Sequence, residues 1–235
     1  MAIIAVANQK GGCGKTTLTM SVAGVLATEV GLRVAVIDAD PQASAHRWAM
    51  RAGESGVPFE MTTHPHEDVH RKAREIAAKG MDIVLIDCPP GTAQSVGGKD
   101  NQTNISRMAL LAADLVLVPV RPSMLDYDAA QQLLPLLKDV STIKDHQKVL
   151  VVINGKPPGR TRSGAEARAV ASEIFEADGV DVRVLQTELT TLQAFIMAPV
   201  HGLTVTSYEP KGNAAELIRA LAEEIAQCLP SVRNA

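Results

Sequence analysis

The sequence predicts a doubly wound α/β fold, with a mostly parallel sheet and helices on both faces. Three observations predict it. Short β-branched runs alternate with segments of helical period along the chain. The residues with the most chemical character stand just after several of those runs, where open α/β sheets bind ligands. Finally, 235 residues at 46% hydrophobic content are enough for one sizeable core.

Six runs read as buried parallel strands: Ile3 to Ala7, Val34 to Ile37, Ile83 to Ile86, Leu115 to Val120, Val149 to Ile153 and Val182 to Leu185. They are nearly continuous in apolar residues rather than alternating, as strands covered on both faces are. The segment Lys15 to Thr28 carries Leu18, Val22 and Leu26 at spacing four, one stripe of a helix. Glu67 to Lys79, Asp126 to Lys138, Ala165 to Ala177 and Asn213 to Cys228 also have helical patterns. No repeat, low-complexity stretch or linker divides the chain, so residues 1–235 are expected to form a single domain.

Composition sets limits on function. The net charge is −3, so a nucleic-acid partner would have to be held by a local basic face rather than by the field of the whole molecule. Cys13, Cys88 and Cys228 are odd in number and widely spaced, which argues against a disulfide framework and a zinc site and fits a reducing cytosol. No basic leader precedes the first strand, and no apolar run approaches a membrane span, so a soluble cytoplasmic protein is expected.

Lys10-Gly11-Gly12-Cys13-Gly14-Lys15-Thr16-Thr17 directly follows the first strand. A phosphate loop needs glycines because backbone N–H groups must turn inward around phosphate oxygens, in conformations a Cβ obstructs. Gly11, Gly12 and Gly14 meet that need. Lys15 is expected between the β- and γ-phosphates and the Thr16 hydroxyl on Mg²⁺, while the following helix points its N-terminus at the anion. The run fails the ordinary pattern G-x-x-x-x-G-K-[ST], and a second cation, Lys10, sits at the start of the loop.

That run resembles the deviant Walker A box of the ParA/MinD family of P-loop ATPases. Two more segments agree in order: Val34-Ala35-Val36-Ile37-Asp38-Ala39-Asp40-Pro41-Gln42 looks like the family's second box, and Ile83-Val84-Leu85-Ile86-Asp87-Cys88-Pro89-Pro90-Gly91 like its Walker B strand and switch. The resemblance implies ATP and Mg²⁺ as cofactors. It implies that Lys15 neutralises β/γ charge, that Thr16 and, through water, Asp87 hold the metal with support from Asp38, that Thr17 meets the α-phosphate and that Asp40 orients the attacking water. Asp38 or Asp40 as a helix N-cap is the plainer reading, and the two roles can coexist. In the family the signature lysine, here Lys10, reaches the partner subunit's nucleotide in an ATP-bound homodimer. ATP binding would then be the switch and hydrolysis, weak until a partner stimulates it, the reset.

Asn154 follows a strand where related proteins place an adenine-recognising asparagine, although Asn there is also common turn chemistry. Cys13 and Cys88 flank the phosphate chemistry as redox sensors or, more simply, as small tolerated residues. His64, His66 and His70 read as surface residues, since no metal-ligand set completes around them.

Lys156, Arg160, Arg162 and Arg168 surround Pro157-Pro158-Gly159, with only Glu166 opposing them in the local sequence. Such a patch grips phosphates without reading bases, or is a solvated loop. The resemblance favours DNA and adds Lys211 and Arg219. Small ParA members often have an arginine in the segment matching Thr190 to Phe195, where this chain has Leu192. The loop Thr92 to Ser106 is longer than in typical relatives and is expected to be a partner-binding element or a tolerated insertion.

The first strand begins almost at residue 1, leaving no room for an N-terminal helix-turn-helix module, as in the small ParA branch. The resemblance therefore implies a nucleoid-associated partition or positioning ATPase. It would bind DNA nonspecifically in its ATP state and distribute a plasmid, chromosome or protein-organelle cargo with a ParB-like or other adaptor protein. The alternative is a MinD-like membrane-associated switch, which needs a detachable basic amphipathic helix. Glu216 to Ile225 is acidic on its polar face and suits a core-docked helix better. An iron–sulfur carrier with the same loop would need paired cysteines, and Cys88 has no partner in sequence.

Overall fold

The computed structural model describes residues 1–91, 101–144, 147–159, 162–175 and 180–229, the side chains of 162 and 163 excepted. In chain order the elements are β1 (Ala2–Val6), α1 (Lys15–Thr28), β2 (Val34–Asp38), α2 (Ser44–Met50), β3 (Glu60–Thr63), α3 (Val69–Ala78), β4 (Ile83–Asp87) and α4 (Asn101–Ala112). They continue through β5 (Leu115–Val120), α5 (Met124–Gln131), α6 (Leu134–Ser141), β6 (Lys148–Lys156), α7 (Arg162–Phe175), β7 (Asp181–Thr190), α8 (Gln193–Met197), α9 (Val205–Tyr208) and α10 (Asn213–Cys228).

The strands form one seven-stranded sheet in the order β3-β2-β4-β1-β5-β6-β7, and every pairing is parallel. Successive side chains point to opposite faces, so each strand feeds two cores. Ile3, Ala5, Ala35 and Ile37 face a core closed by Ile76 of α3, Ile105 and Leu110 of α4, Tyr127 of α5, Leu137 of α6 and Phe175 of α7. Ile4, Val6, Val34 and Val36 face the other, closed by Leu18 and Leu26 of α1, Trp48 of α2 and Ile218, Leu221 and Ile225 of α10. The expected doubly wound sheet is present, and α10 spends its apolar stripe on the core.

The structure corrects the expected elements in several places: β6 runs on through Asn154 to Lys156, so Asn154 does not follow the strand, and β7, read as buried over Val182 to Leu185, is a longer and partly exposed edge strand. The helix read over Asp126 to Lys138 is two helices, because Pro135 in the first turn of α6 supplies no N–H to continue the α5 ladder. Asn101 to Ser106 belongs to α4 rather than to a loop; the rest of that expected loop, 92–100, lies outside the described residues. β3 is a further strand, an edge strand pairing only with β2.

The register places the chemistry. Asp38 and Asp87 are direct partners across β2 and β4, and Val6 lies opposite Asp87 across β1 and β4. Both carboxylates and the loop after β1 therefore emerge at the same carboxyl edge of the sheet.

Candidate nucleotide site

A cavity of about 450 Å³ opens at that edge, of the size small-ligand sites usually have. It is lined by Gly11, Gly12, Gly14, Lys15, Thr16 and Thr17 of the loop and α1, by Asp40 and Ser44, and by Arg121, Asn154, Gly155, Thr190, Thr191, Leu192, Phe195 and Ile196.

The loop adopts the predicted shape. Gly12 and Gly14 have φ of +73° and +97°, and Gly14 caps α1 in a left-handed conformation. The first N–H groups of α1 have no acceptor within the helix, so they face whatever occupies the loop. Asn154 is placed against this turn. Its Nδ2 donates to the Cys13 carbonyl at 2.7 Å and lies where a Cβ on residue 14 would stand, so Gly14 serves both the backbone angle and the approach of Asn154.

Lys15 is buried, and its ammonium donates to the carbonyl oxygens of Lys10 at 2.9 Å and Asn8 at 3.2 Å. No carboxylate lies within ion-pair distance of it among the described residues. Neutral acceptors hold the cation in place and leave its charge uncompensated, as an anion site requires. Lys10 is half-exposed and pairs in its own subunit with buried Asp126 at 2.9 Å. Ser123 caps α5 and shares the same Asp126 oxygen.

The acidic side of the site is equally ordered. The Thr16 hydroxyl donates to Asp87 Oδ2 at 2.7 Å, and Asp87 Oδ1 is a buried oxygen with no hydrogen-bond partner. Burial pushes the Asp87 carboxyl up to about 7; the Thr16 hydrogen bond opposes the rise and nearby Asp38 adds to it. An orphaned carboxylate oxygen beside a threonine hydroxyl fits a small hard cation, which prefers oxygen ligands. Asp38 is committed differently. Its oxygens accept from the Asp40 N–H at 3.1 Å and the His46 N–H at 2.9 Å, fastening the start of α2. Burial raises its carboxyl as well, against those backbone hydrogen bonds. Asp40 accepts from the Gln42 N–H at 2.8 Å in the turn before α2 and lines the cavity; the N-cap of α2 is Ala43, with no side-chain cap, so neither aspartate is the helix N-cap that the plainer reading expected.

Cys13 and Cys88 are buried, and burial pushes both thiols up, away from thiolate reactivity. His64 pairs with Asp68, and the described residues hold no group of His, Cys, Asp or Glu arranged to bind a metal ion on their own.

The basic patch is different from its sequence expectation. Glu166 is not the main opposing charge: Lys156 pairs with Glu188 at 2.7 Å, and Arg168 pairs with the other oxygen of the same carboxylate. Arg219 forms two hydrogen bonds to Glu29 and one to the Pro210 carbonyl, tying α10 to the end of α1. Lys211 is exposed without an ion-pair partner among the described residues. Arg160 and the Arg162 side chain lie outside the described residues.

Sequence reasoning missed Arg121, Phe195 and the Lys10–Asp126 pair. Arg121 had a usable signal, since it directly follows the strand Leu115 to Val120 and so stands at a carboxyl edge. Phe195 and Asp126 had none, because their relation to the site exists only across the fold.

Comparison with known proteins agrees with this geometry. The family described as the CobQ/CobB/MinD/ParA nucleotide binding domain matches residues 4–59, the stretch holding Lys10 to Thr17, Asp38 and Asp40. The Halothiobacillus neapolitanus maintenance of carboxysome distribution protein A is 30% identical over 232 residues, covering 97% of this chain and 95% of that protein. The Thermus thermophilus chromosome-partitioning ATPase Soj is 28% identical over 250 residues, covering 94% of each. The solved ATP complex of Cyanothece McdA has the same fold, with a TM-score of 0.66 at 15% identity, covering 97% of this chain and 96% of the other. With the deviant loop, both aspartate-ended strands and a relative aligned over nearly its whole length, the chain belongs to the ParA/MinD family of nucleotide-binding ATPases.

Proposed function

We propose that the chain is a positioning or partition ATPase whose ATP-bound homodimer holds DNA nonspecifically and distributes a cargo with an adaptor protein. The observation that carries the proposal is the end-to-end similarity to a carboxysome-distribution protein, joined to an intact phosphate loop with its second lysine. In this reading the nucleotide's phosphates lie along Gly11 to Thr17. Bound Mg²⁺ would neutralise developing charge on the phosphates, held by Thr16 and Asp87, with Asp38 behind them. Asp40 orients a water for attack on the γ-phosphate, and Lys15 offsets the charge that develops there. Lys10 leaves Asp126 and reaches the partner subunit's nucleotide, so that dimerisation depends on ATP.

Nonspecific DNA binding falls to Lys156, Arg160, Arg162, Arg168, Lys211 and Arg219 as candidates, in competition with Glu188 and Glu29 for three of them. The adaptor is ParB-like or another small cargo protein, and the expected location is the cytoplasm, on the nucleoid. The membrane-switch alternative loses support because α10 is packed into the core. Among the described residues, no helix is long and apolar enough to cross a membrane.

The test is binding to random-sequence duplex DNA at two salt concentrations with ATP and Mg²⁺, with ADP and without nucleotide. Salt-sensitive binding in the ATP state alone is expected. Absence of binding in every state, with ATP hydrolysis intact, would overturn the DNA role.

A further inference from the structure

Arg121 is a cation in the nucleotide cavity that neither the phosphate loop nor the aspartate pair uses. It follows β5, is exposed, and its guanidinium has no hydrogen-bond or ion-pair partner among the described residues. An arginine carries five donors and a flat delocalised cation, so one held at a cavity wall without a partner is available to a ligand.

Its position within the cavity is specific. Arg121 runs alongside Gly155, where its Cγ and Nε lie 3.6 Å from the point a Cβ would occupy, and Thr191 Oγ1 lies 3.8 Å from the same point. Gly155 has φ +72° in the irregular last part of β6, so the backbone after Asn154 has no side chain to push the arginine away. Asn154 itself is fixed to the Cys13 carbonyl, which sets this stretch of β6 against Gly14. Leu192, at the N-cap of α8, and Phe195 and Ile196 within α8 line the same cavity.

We propose that Arg121 is a base-positioning residue: its guanidinium plane stacks on the purine ring of the bound nucleotide, in the cavity that the apolar Leu192, Phe195 and Ile196 also line. This rests on the nucleotide site described above, and it assigns the purine preference to a residue outside the phosphate loop. A guanidinium on a desolvated π-face is worth up to about 2 kcal/mol, or roughly thirtyfold in affinity at most. Because Arg121 is exposed, its replacement leaves both cores intact.

The experiment is calorimetric titration of wild type, Arg121→Ala and Arg121→Lys with ATP, ADP and inorganic tripolyphosphate at fixed Mg²⁺. The expected result is a loss of about tenfold for ATP and ADP alike in Arg121→Ala, with tripolyphosphate binding unchanged. Arg121→Lys stays weak, since a lysine ammonium keeps the charge but has no plane to stack. If tripolyphosphate weakens in parallel with ATP, Arg121 binds phosphate and the proposal is overturned. Unchanged ATP affinity in Arg121→Ala, or full recovery in Arg121→Lys, overturns it too. If wild type fails to bind ATP, the ATPase reading falls with it, an outcome distinct from the others.

Discussion

The cations at the phosphate loop and those in the C-terminal half of the chain are built on opposite plans. Lys15 is buried and held by neutral acceptors, the carbonyls of Asn8 and Lys10 and the Cys13 sulfur, so its charge stays available. Lys156 and Arg168 share Glu188, and Arg219 is matched by Glu29, so those charges are already neutralised. In the sequence all of them are simply basic residues, but the fold makes only one region a committed anion site. Lys10 stands between the two plans: it belongs to the loop, yet it pairs with Asp126.

Substitutions can break this contrast, and the largest effect belongs to Lys15. Lys15→Ala is expected to lower ATP turnover by roughly a hundredfold to a thousandfold, the usual cost of removing one electrostatic stabiliser of transition-state charge. Phosphate release measured at saturating ATP checks it, and near-wild-type turnover would end the claim that this cation is uncompensated for catalysis. Asp40→Ala comes next. It should bind ATP and dimerise but turn over about a hundredfold more slowly, in the range for a lost water-positioning group.

Lys10→Ala sharpens the intermediate case, since it is expected to keep ATP binding but lose the ATP-dependent dimer. Sedimentation of an intact ATP dimer in the variant would refute the role in trans. At the compensated side, Glu188→Gln releases Lys156 and Arg168. DNA binding in the ATP state should tighten, and its logarithmic salt slope should steepen by up to about 2, since each phosphate newly neutralised adds about 0.9. An unchanged slope would place DNA elsewhere on the molecule.

A separate expected effect is on the pH dependence of stability. Asp87 is protonated up to about pH 7 in the folded chain, well above the ordinary Asp range, so the native state holds a proton that the unfolded chain has already lost. Its contribution to stability therefore falls as pH rises from the ordinary Asp value towards 7, and is level above that. Asp87→Asn should flatten the melting-temperature profile of the nucleotide-free protein across that window. A profile as steep as that of wild type would assign the effect to other groups.

Much of the fold was legible because five strands are buried on both faces and announce themselves as apolar runs, while β7, at a sheet edge, was legible from a shorter run. β3 was not: its Glu-Met-Thr-Thr sequence is polar, half-exposed and at the sheet edge. α2 was missed because seven residues carry too short a period. The phosphate end of the site was legible because backbone geometry demands glycines at fixed places. The charge partners were not, since Glu188 lies 32 residues from Lys156 and Glu29 lies 190 from Arg219. Only folding brings them together, and a local count of charges therefore overstates the free basic patch.

All seven strands run the same way, and this has a practical use. Every residue of the nucleotide site leaves from one edge, while the opposite edge carries Asp181 at the start of β7, exposed and remote from that chemistry. The three native thiols are buried. A single Asp181→Cys change thus supplies the one accessible position for maleimide coupling, and a dye there reports on the protein's movement without standing in its own reaction path.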